Sequence, residues 1–124
     1  MDKIQYIDQL IYLLCKKYGG TFNMSIDKGV LTLVNSESVN DIFFKVTLYS
    51  DESFGEVKTW TSCNNVNHSD LVSLVNKHDS LVMYQDTGKI GTSAILPEIS
   101  SPDVCFKLIN DMLKELHCCC VHTA

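Results

Sequence analysis

Apolar residues recur at helical spacing near both ends of the chain, and the stretch between them is dominated by two-residue alternation. At such spacing the apolar residues form a stripe along one side of a helix. The C-terminal stripe gives the stronger helix prediction, because Ser101 is placed to cap a helix and Pro102 falls at its first position. Its apolar face is formed by Cys105, Leu108, Ile109, Met112, Leu113 and Leu116. Each stripe must be buried against another element, so the pattern predicts a sheet covered by terminal helices.

The N-terminal stripe predicts a helix that Asp2 caps and that Gly19 and Gly20 end. Its apolar positions are Ile4, Ile7, Leu10, Ile11, Leu14 and Tyr18. Tyr6 and Leu13 widen this stripe, so we expect the helix to lie across a sheet and to offer apolar surface to a partner.

The alternating middle of the chain predicts several strands and one short helix. Strands are expected around Phe22 to Ile26, Val30 to Val34, Phe43 to Tyr49, Glu56 to Thr61, Leu81 to Tyr84 and Ile90 to Leu96. Turns are expected at Lys28 and Gly29, at Asp51, Ser53 and Gly55, and at Asp86, Thr87 and Gly88, and Pro97 is expected to end the last strand. Ser69 is placed to cap a helix that carries Leu71, Leu74 and Val75.

This pattern is typical of an α+β fold, in the order α-β-β-β-α-β-β-α, with a largely antiparallel sheet covered by the N- and C-terminal helices. A length of 124 residues fits one hydrophobic core. We therefore predict a single domain over residues 1–117, followed by a cysteine-rich tail over residues 118–124.

Composition excludes several classes of function. The formal net charge is -5 and every basic residue is a lysine, so the guanidinium forks typical of nucleic-acid recognition are missing and no nucleic-acid partner is expected. No apolar run approaches the roughly 18 to 20 residues of a membrane span. We expect a cytoplasmic protein whose six cysteines are reduced thiols.

The tail gathers the soft metal ligands His117, Cys118, Cys119, Cys120 and His122. One short run rarely closes a tetrahedral site, so a metal centre and lipid-modified thiols are both less favoured than a frayed, exposed tail with Cys118 partly under the last helix.

A thiol enzyme would need a histidine near its nucleophile, and Cys63 with His68 and Asp70 is the one local set. It lacks a glycine-rich oxyanion loop. No catalytic residue, cofactor or metal is therefore predicted.

Three aromatic residues are candidates for a binding patch. Trp60, Phe43 and Tyr49 are expected on the sheet face opposite Phe44, Val46 and Leu48, depending on register. If that face stays uncovered they form a patch for a partner, and otherwise a helix or a second subunit covers them.

The element order, and the segment LVSLVNKHDSLVMYQDTGKIGTSAILPEI before the helix SPDVCFKLINDMLKEL, resemble the small type III secretion chaperones and the related YbjN-type domains. The resemblance implies a small acidic homodimer that holds an extended segment of a client protein without ATP. It implies a dimer interface at Leu71, Leu74 and Val75. It also implies client contacts, which we place at Ile7, Ile11, Phe44, Val46 and Trp60.

The sequence therefore favours a non-catalytic protein-binding module, a chaperone or adaptor that holds its client on apolar sheet and helix surface. A sensory or regulatory domain, or a viral accessory protein that blocks a host factor through the same surface, is the main alternative. A metal- or thiol-dependent enzyme is the least favoured class.

Overall fold

A computed structural model describes residues 2–49, 55–96 and 101–121. It contains three α-helices, which are α1 (Lys3–Tyr18), α2 (His68–Lys77) and α3 (Pro102–Cys118). Its six strands are β1 (Phe22–Asp27), β2 (Val30–Asn35), β3 (Phe43–Leu48), β4 (Gly55–Ser62), β5 (Leu81–Asp86) and β6 (Lys89–Leu96). They form one sheet in the order β1-β2-β3-β4-β6-β5, and every pair is antiparallel. The predicted α+β class and antiparallel sheet are confirmed.

The element order differs from the predicted α-β-β-β-α-β-β-α in having four strands before the middle helix. The strand that the predicted order leaves out is β4, although a strand was expected at Glu56 to Thr61, and β4 pairs with β3 on one side and with β6 on the other. It therefore stands in the middle of the sheet. The predicted turn residues Asp51 and Ser53 and the strand-ending Pro97 lie outside the described residues.

The two long helices begin and end where the sequence predicts. Asp2 Oδ1 accepts a hydrogen bond from Gln5 N at 2.8 Å, and Ser101 Oγ accepts one from Val104 N at 3.4 Å. Gly19 ends α1 with a φ of 69°, which glycine adopts without steric cost. In the part of the chain that the structure describes, none of the helices has the length and apolar character needed to cross a bilayer.

The cap of α2 is Asn67, and the prediction of Ser69 is wrong. Asn67 has an extended backbone, and its side chain accepts a hydrogen bond from Asp70 N at 3.2 Å. The helix therefore begins at His68, so Ser69 lies inside the first turn, where it cannot act as the cap.

Helices α1 and α3 pack side by side and bury one face of the sheet, which we call the covered face. Alternate strand residues point into this layer, among them Leu33 of β2, Phe44 and Val46 of β3, and Val57 of β4. The helices contribute Tyr6, Ile7, Leu10, Leu14, Cys105, Ile109, Met112 and Leu116. The other side of the sheet, the open face, carries no helix among the described residues.

A buried asparagine closes the end of the β2–β3 pair. Asn35 Oδ1 accepts a hydrogen bond from Phe44 N at 2.8 Å, and its amide nitrogen donates to the Glu37 carbonyl at 2.7 Å. The side chain thus takes the place of a backbone partner where the two strands separate. Both polar atoms of this buried amide are satisfied, which removes the cost of burying it.

The cysteine-rich tail is packed up to Val121 and is not the frayed tail that we predicted. Cys119 is buried, its carbonyl accepts from Asn67 N at 2.8 Å, and Val121 N donates to the Asn65 carbonyl. Cys118 itself is exposed. These bonds join the end of α3 to the start of α2, so the packed domain continues beyond residue 117. Sequence patterns missed this because the partner lies more than fifty residues away.

Replacing Phe44 with alanine should lower the free energy of unfolding by about 3 to 5 kcal/mol, because its ring is completely buried and leaves a cavity. Urea unfolding followed by circular dichroism measures this change. The control is Tyr12→Ala on the exposed side of α1, which should stay within about 0.5 kcal/mol of the unchanged protein. Equal losses in both variants would contradict the assigned core.

Candidate binding surface

Three aromatic rings form a row on the open face. Phe43 and Trp60 are directly opposite each other on β3 and β4, and their rings are stacked with centroids 6.1 Å apart. The rings of Trp60 and Tyr84 are also 6.1 Å apart, although Tyr84 stands on β5, two strands away. All three side chains are only partly buried. The row therefore presents aromatic surface where no helix covers the sheet.

Gly91 makes the contact between Trp60 and Tyr84 possible. It lies on β6 between the two aromatic strands and is the register partner of both residues. A Cβ at Gly91 would stand 1.8 Å from the Thr59 carbonyl oxygen and 2.7 Å from the Trp60 Cα. Because no side chain fits there, the two rings reach across the glycine and meet.

Three lysines surround this row. The Lys89 ammonium lies 5.4 Å from the centroid of the Trp60 ring, and the Lys58 ammonium lies 5.0 Å from that of Tyr84. Lys45 is the cross-strand partner of Lys58. These distances are typical of cation–π contacts, and the lysine stems add apolar cover to the sheet. We call the set Phe43, Trp60, Tyr84, Lys45, Lys58 and Lys89 the aromatic face.

The charge of the aromatic face is opposite in sign to that of the chain as a whole. Three of the ten basic residues stand on it, in a protein with a formal net charge of -5. Two acidic residues of the open face compensate part of this charge: a Glu56 carboxylate oxygen lies 3.3 Å from Lys58 Nζ, and Asp86 is the cross-strand partner of Lys89. Glu56 and Lys58 are both partly exposed, so their pair contributes little to stability. The surface is thus suited to a partner that carries negative charge.

A shallow cavity of about 340 Å³ adjoins the aromatic row at one end of the sheet. Phe43 and Trp60 form its apolar wall, and Lys89, Asp41 and Asn65 contribute polar groups. The Asp41 carbonyl is fixed there because it accepts a hydrogen bond from Thr61 Oγ1 at 2.8 Å. An apolar side chain of a partner could enter this cavity while its backbone crosses the rings.

The predicted partner-binding residues fall on two different surfaces. Trp60 lies on the open face, as does Phe43, which confirms the register expected for both. Ile7, Phe44 and Val46 each have 0 % of their surface exposed, because they point into the layer between the sheet and the helices. A partner could reach them only if α1 left the sheet. Ile11 is partly exposed on the flank of α1.

The predicted dimer residues of α2 face their own chain. Leu71 is completely buried, and Leu74 and Val75 are partly buried against the same core. Their main contacts are therefore within the chain, and the exposed apolar residue of this helix is Val72.

The sequence analysis placed Tyr49 in the candidate binding patch and left Tyr84 out of it. Tyr49 lies beyond the end of β3, where its carbonyl accepts a hydrogen bond from Lys3 Nζ. Tyr84 enters the aromatic row only because β6 lies between β4 and β5, a strand order that no local pattern reveals. The usable signal was Gly91 inside a strand pattern, since such a glycine often marks a close approach.

The thiols do not assemble a chemical site in the described part of the chain. Cys63 is partly buried against the core, whereas His68 and Asp70 are exposed at the start of α2. Within residues 2–49, 55–96 and 101–121, no three His, Cys, Asp or Glu side chains are grouped so as to hold a metal ion. His122 of the predicted ligand run lies outside those residues.

Burial raises the pKa of several groups in the core. The pKa of the Cys105 thiol rises to about 12 and that of Cys119 to about 11, in both cases mainly because the thiolate would lose its hydration. Burial also raises the pKa of Tyr6, and the neighbouring Cys105 raises it further. Such thiols keep their protons near neutral pH and are poor nucleophiles.

Comparison of this chain with protein-family models, with curated proteins and with solved structures finds no match.

Gly91→Ala should destabilise the fold by about 1 to 3 kcal/mol, because the new methyl group would overlap the Thr59 carbonyl and force the strands apart. It should also separate Trp60 from Tyr84, which near-ultraviolet circular dichroism would register. The matched control is Ser93→Ala on the same strand and the same face, which should change neither quantity appreciably. An unaltered aromatic signal in Gly91→Ala would contradict the assigned contact.

The native protein should lose stability as the pH rises above about 9, because the folded state retains the Cys105 proton that the unfolded chain releases. This contribution is fully present below pH 9 and is lost by about pH 12. Urea unfolding at several alkaline pH values measures the slope. Cys105→Ala should reduce the slope and leave the part that Cys119 contributes, whereas Cys118→Ala, at an exposed position, should leave the slope unchanged. An equally steep slope in Cys105→Ala would refute this assignment.

Proposed function

We propose that this protein is a non-catalytic binding module that holds an extended segment of a partner protein on the aromatic face. The observation that supports the proposal is the row of Phe43, Trp60 and Tyr84, partly exposed between lysines on a sheet face that no helix of the described chain covers. A chaperone or adaptor role and the blocking of a target protein would both use this surface.

The composition of the aromatic face is that of a protein-binding site. Tryptophan and tyrosine carry a large share of the binding energy in protein interfaces, because each buries a large rigid ring at a low cost in side-chain entropy. The row crosses several strands, so a segment lying along it would contact successive rings. The lysines would pair with carboxylates, and we therefore infer a segment in which acidic and apolar residues alternate.

Single-stranded nucleic acid also binds aromatic rings on sheets, but the ring faces are already engaged here. Lys89 lies over Trp60 and Lys58 lies over Tyr84, so a stacking base would first have to displace these cations. Carboxylates of a peptide can instead pair with the same ammonium groups where they stand. These contacts favour a peptide over a nucleic acid.

Trp60 is the only tryptophan in the chain, so its fluorescence reports on this surface alone. Titration with a synthetic peptide of alternating leucine and glutamate should change the emission in a saturable manner. A peptide of alternating leucine and lysine should bind at least about tenfold more weakly, because it opposes the three lysines. Added salt should weaken the first interaction.

Tyr84→Ala should weaken binding of the acidic peptide by roughly tenfold or more, as expected for an aromatic anchor. Tyr12→Ala, which removes an exposed tyrosine from α1, is the matched control and should bind like the unchanged protein. Three results would refute the proposal: equal binding of both peptides, no effect of Tyr84→Ala, or tighter binding of oligothymidylate than of the acidic peptide.

A further inference from the structure

Strand β1 is an edge of the sheet that no other described part of the chain covers. It pairs with β2 on one side only, and every residue from Asn23 to Asp27 is exposed. Met24 and Ile26 point to the side of the sheet that the helices cover elsewhere, yet they are 46 % and 56 % exposed, because the helical layer does not extend over them. Apart from the terminal Asp27, the strand has no charged residue and no proline that would keep another strand away.

The turn of the β1–β2 hairpin fixes which backbone groups of β1 face outward. Lys28 and Gly29 form a two-residue turn with positive φ at both positions, so Asp27 and Val30 are a hydrogen-bonded pair. From Asp27 toward the start of β1, every second residue is likewise hydrogen-bonded to β2. The Thr21 carbonyl accordingly accepts a hydrogen bond from Ser36 N at 3.0 Å. The N–H and C=O groups of Phe22, Met24 and Ile26 therefore point to the free edge.

The flank of α1 on this side is apolar as well. Leu13 lines a cavity with Pro102 of α3, and Ile11 lies about 200° around the helix from Leu13. Ile11 and the exposed Ile4 therefore stand on the flank opposite Leu13. Tyr18, seven residues after Ile11, donates a hydrogen bond to Asn110 of α3, so α3 reaches the end of this flank. The Cys15 thiol, on the same flank, approaches the Gly20 carbonyl just before β1. We call the apolar side chains Ile4 and Ile11 of this flank, together with Phe22, Met24 and Ile26 on the covered-face side of β1, the apolar border of the domain.

We propose that this border binds a second copy of the chain, through antiparallel pairing of β1 with β1. In the register that places Met24 opposite Met24 of the other copy, Phe22 faces Ile26 of the other copy, and Ile26 faces its Phe22. All three outward-directed residues then exchange hydrogen bonds with the other copy. Every apolar side chain meets an apolar one, and Asn23 meets Ser25 on the opposite face.

Charge complementarity at the ends of the paired strands favours a second copy over a strand of another protein. The same register places Lys28 opposite Gly20 of the other copy. Glu37 stands beside Gly20, with its Oε2 3.6 Å from the point where a Cβ on Gly20 would lie. Lys28 of each copy would therefore lie next to Glu37 of the other, and the two-fold axis repeats the pair. Asp27 would face the uncharged Thr21.

The resulting dimer has one continuous sheet with six strands from each copy. Its helices lie on one side, where the two α1 helices would flank the joined β1 strands. Both aromatic faces lie on the other side and stay accessible. This inference is independent of the proposed peptide binding, and either one can fail alone.

Sedimentation of the full chain over a range of micromolar concentrations should show a reversible dimer. Met24→Lys places two lysines opposite each other at the two-fold axis and should weaken dimerisation by about a hundredfold. The matched control is Val82→Lys on the other edge strand, an apolar residue that is 64 % exposed, and this variant should remain dimeric. Circular dichroism verifies that both variants are folded.

A charge exchange tests the register. Lys28→Glu and Glu37→Lys should each weaken dimerisation by roughly tenfold, because each homodimer would juxtapose like charges twice. An equimolar mixture of the two variants should form a heterodimer, since both end pairs are then again of opposite sign. The double variant Lys28→Glu, Glu37→Lys should likewise dimerise with itself.

Several results would overturn the inference. They are a strictly monomeric chain at high micromolar concentration, a dimer that Met24→Lys leaves intact, and a mixture of the charge variants that dimerises no more tightly than either variant alone. A monomer that binds a synthetic β-strand peptide at β1 would instead assign this edge to another protein, and that outcome also counts against the second copy.

Discussion

A single layer of helices can bury only one face of a six-stranded sheet, and most of the molecule follows from this limit. The covered face holds the complete apolar core, with Phe44 and Val46 packed beneath α1 and α3. The open face carries no helix among the described residues, and its aromatic side chains lie against one another and beneath lysines. The same helical layer also stops short of β1.

The two uncovered regions differ in the kind of contact that they offer. The aromatic face presents rings and ammonium groups, so side chains would determine what binds there. The edge of β1 presents backbone donors and acceptors, together with apolar side chains that match a second copy of themselves. Because one lies on the face of the sheet and the other at its edge, both can be occupied at the same time.

Local sequence patterns were sufficient to predict the elements whose defining residues lie close together in the sequence. The caps at Asp2 and Ser101, the turn at Lys28 and Gly29, and the opposite facing of Phe43 and Phe44 all follow from spacing within a few residues. The sequence could not reveal where the helical layer ends, since that depends on packing over the whole sheet. Ile7, Phe44 and Val46 were therefore assigned to a partner although the protein's own helices cover them. Tyr84 and the docked Cys119 depend on long-range pairing and were missed for the same reason.

The central claim is that the open face is uncovered in the free protein, and quenching of the Trp60 fluorescence tests it most directly. A partly exposed indole beside Lys58 and Lys89 should be quenched readily by iodide and much less by caesium, because the lysines attract the anion and repel the cation. Emission shifted to short wavelength and resistant to both ions would show that another part of the protein covers Trp60, and would contradict the claim.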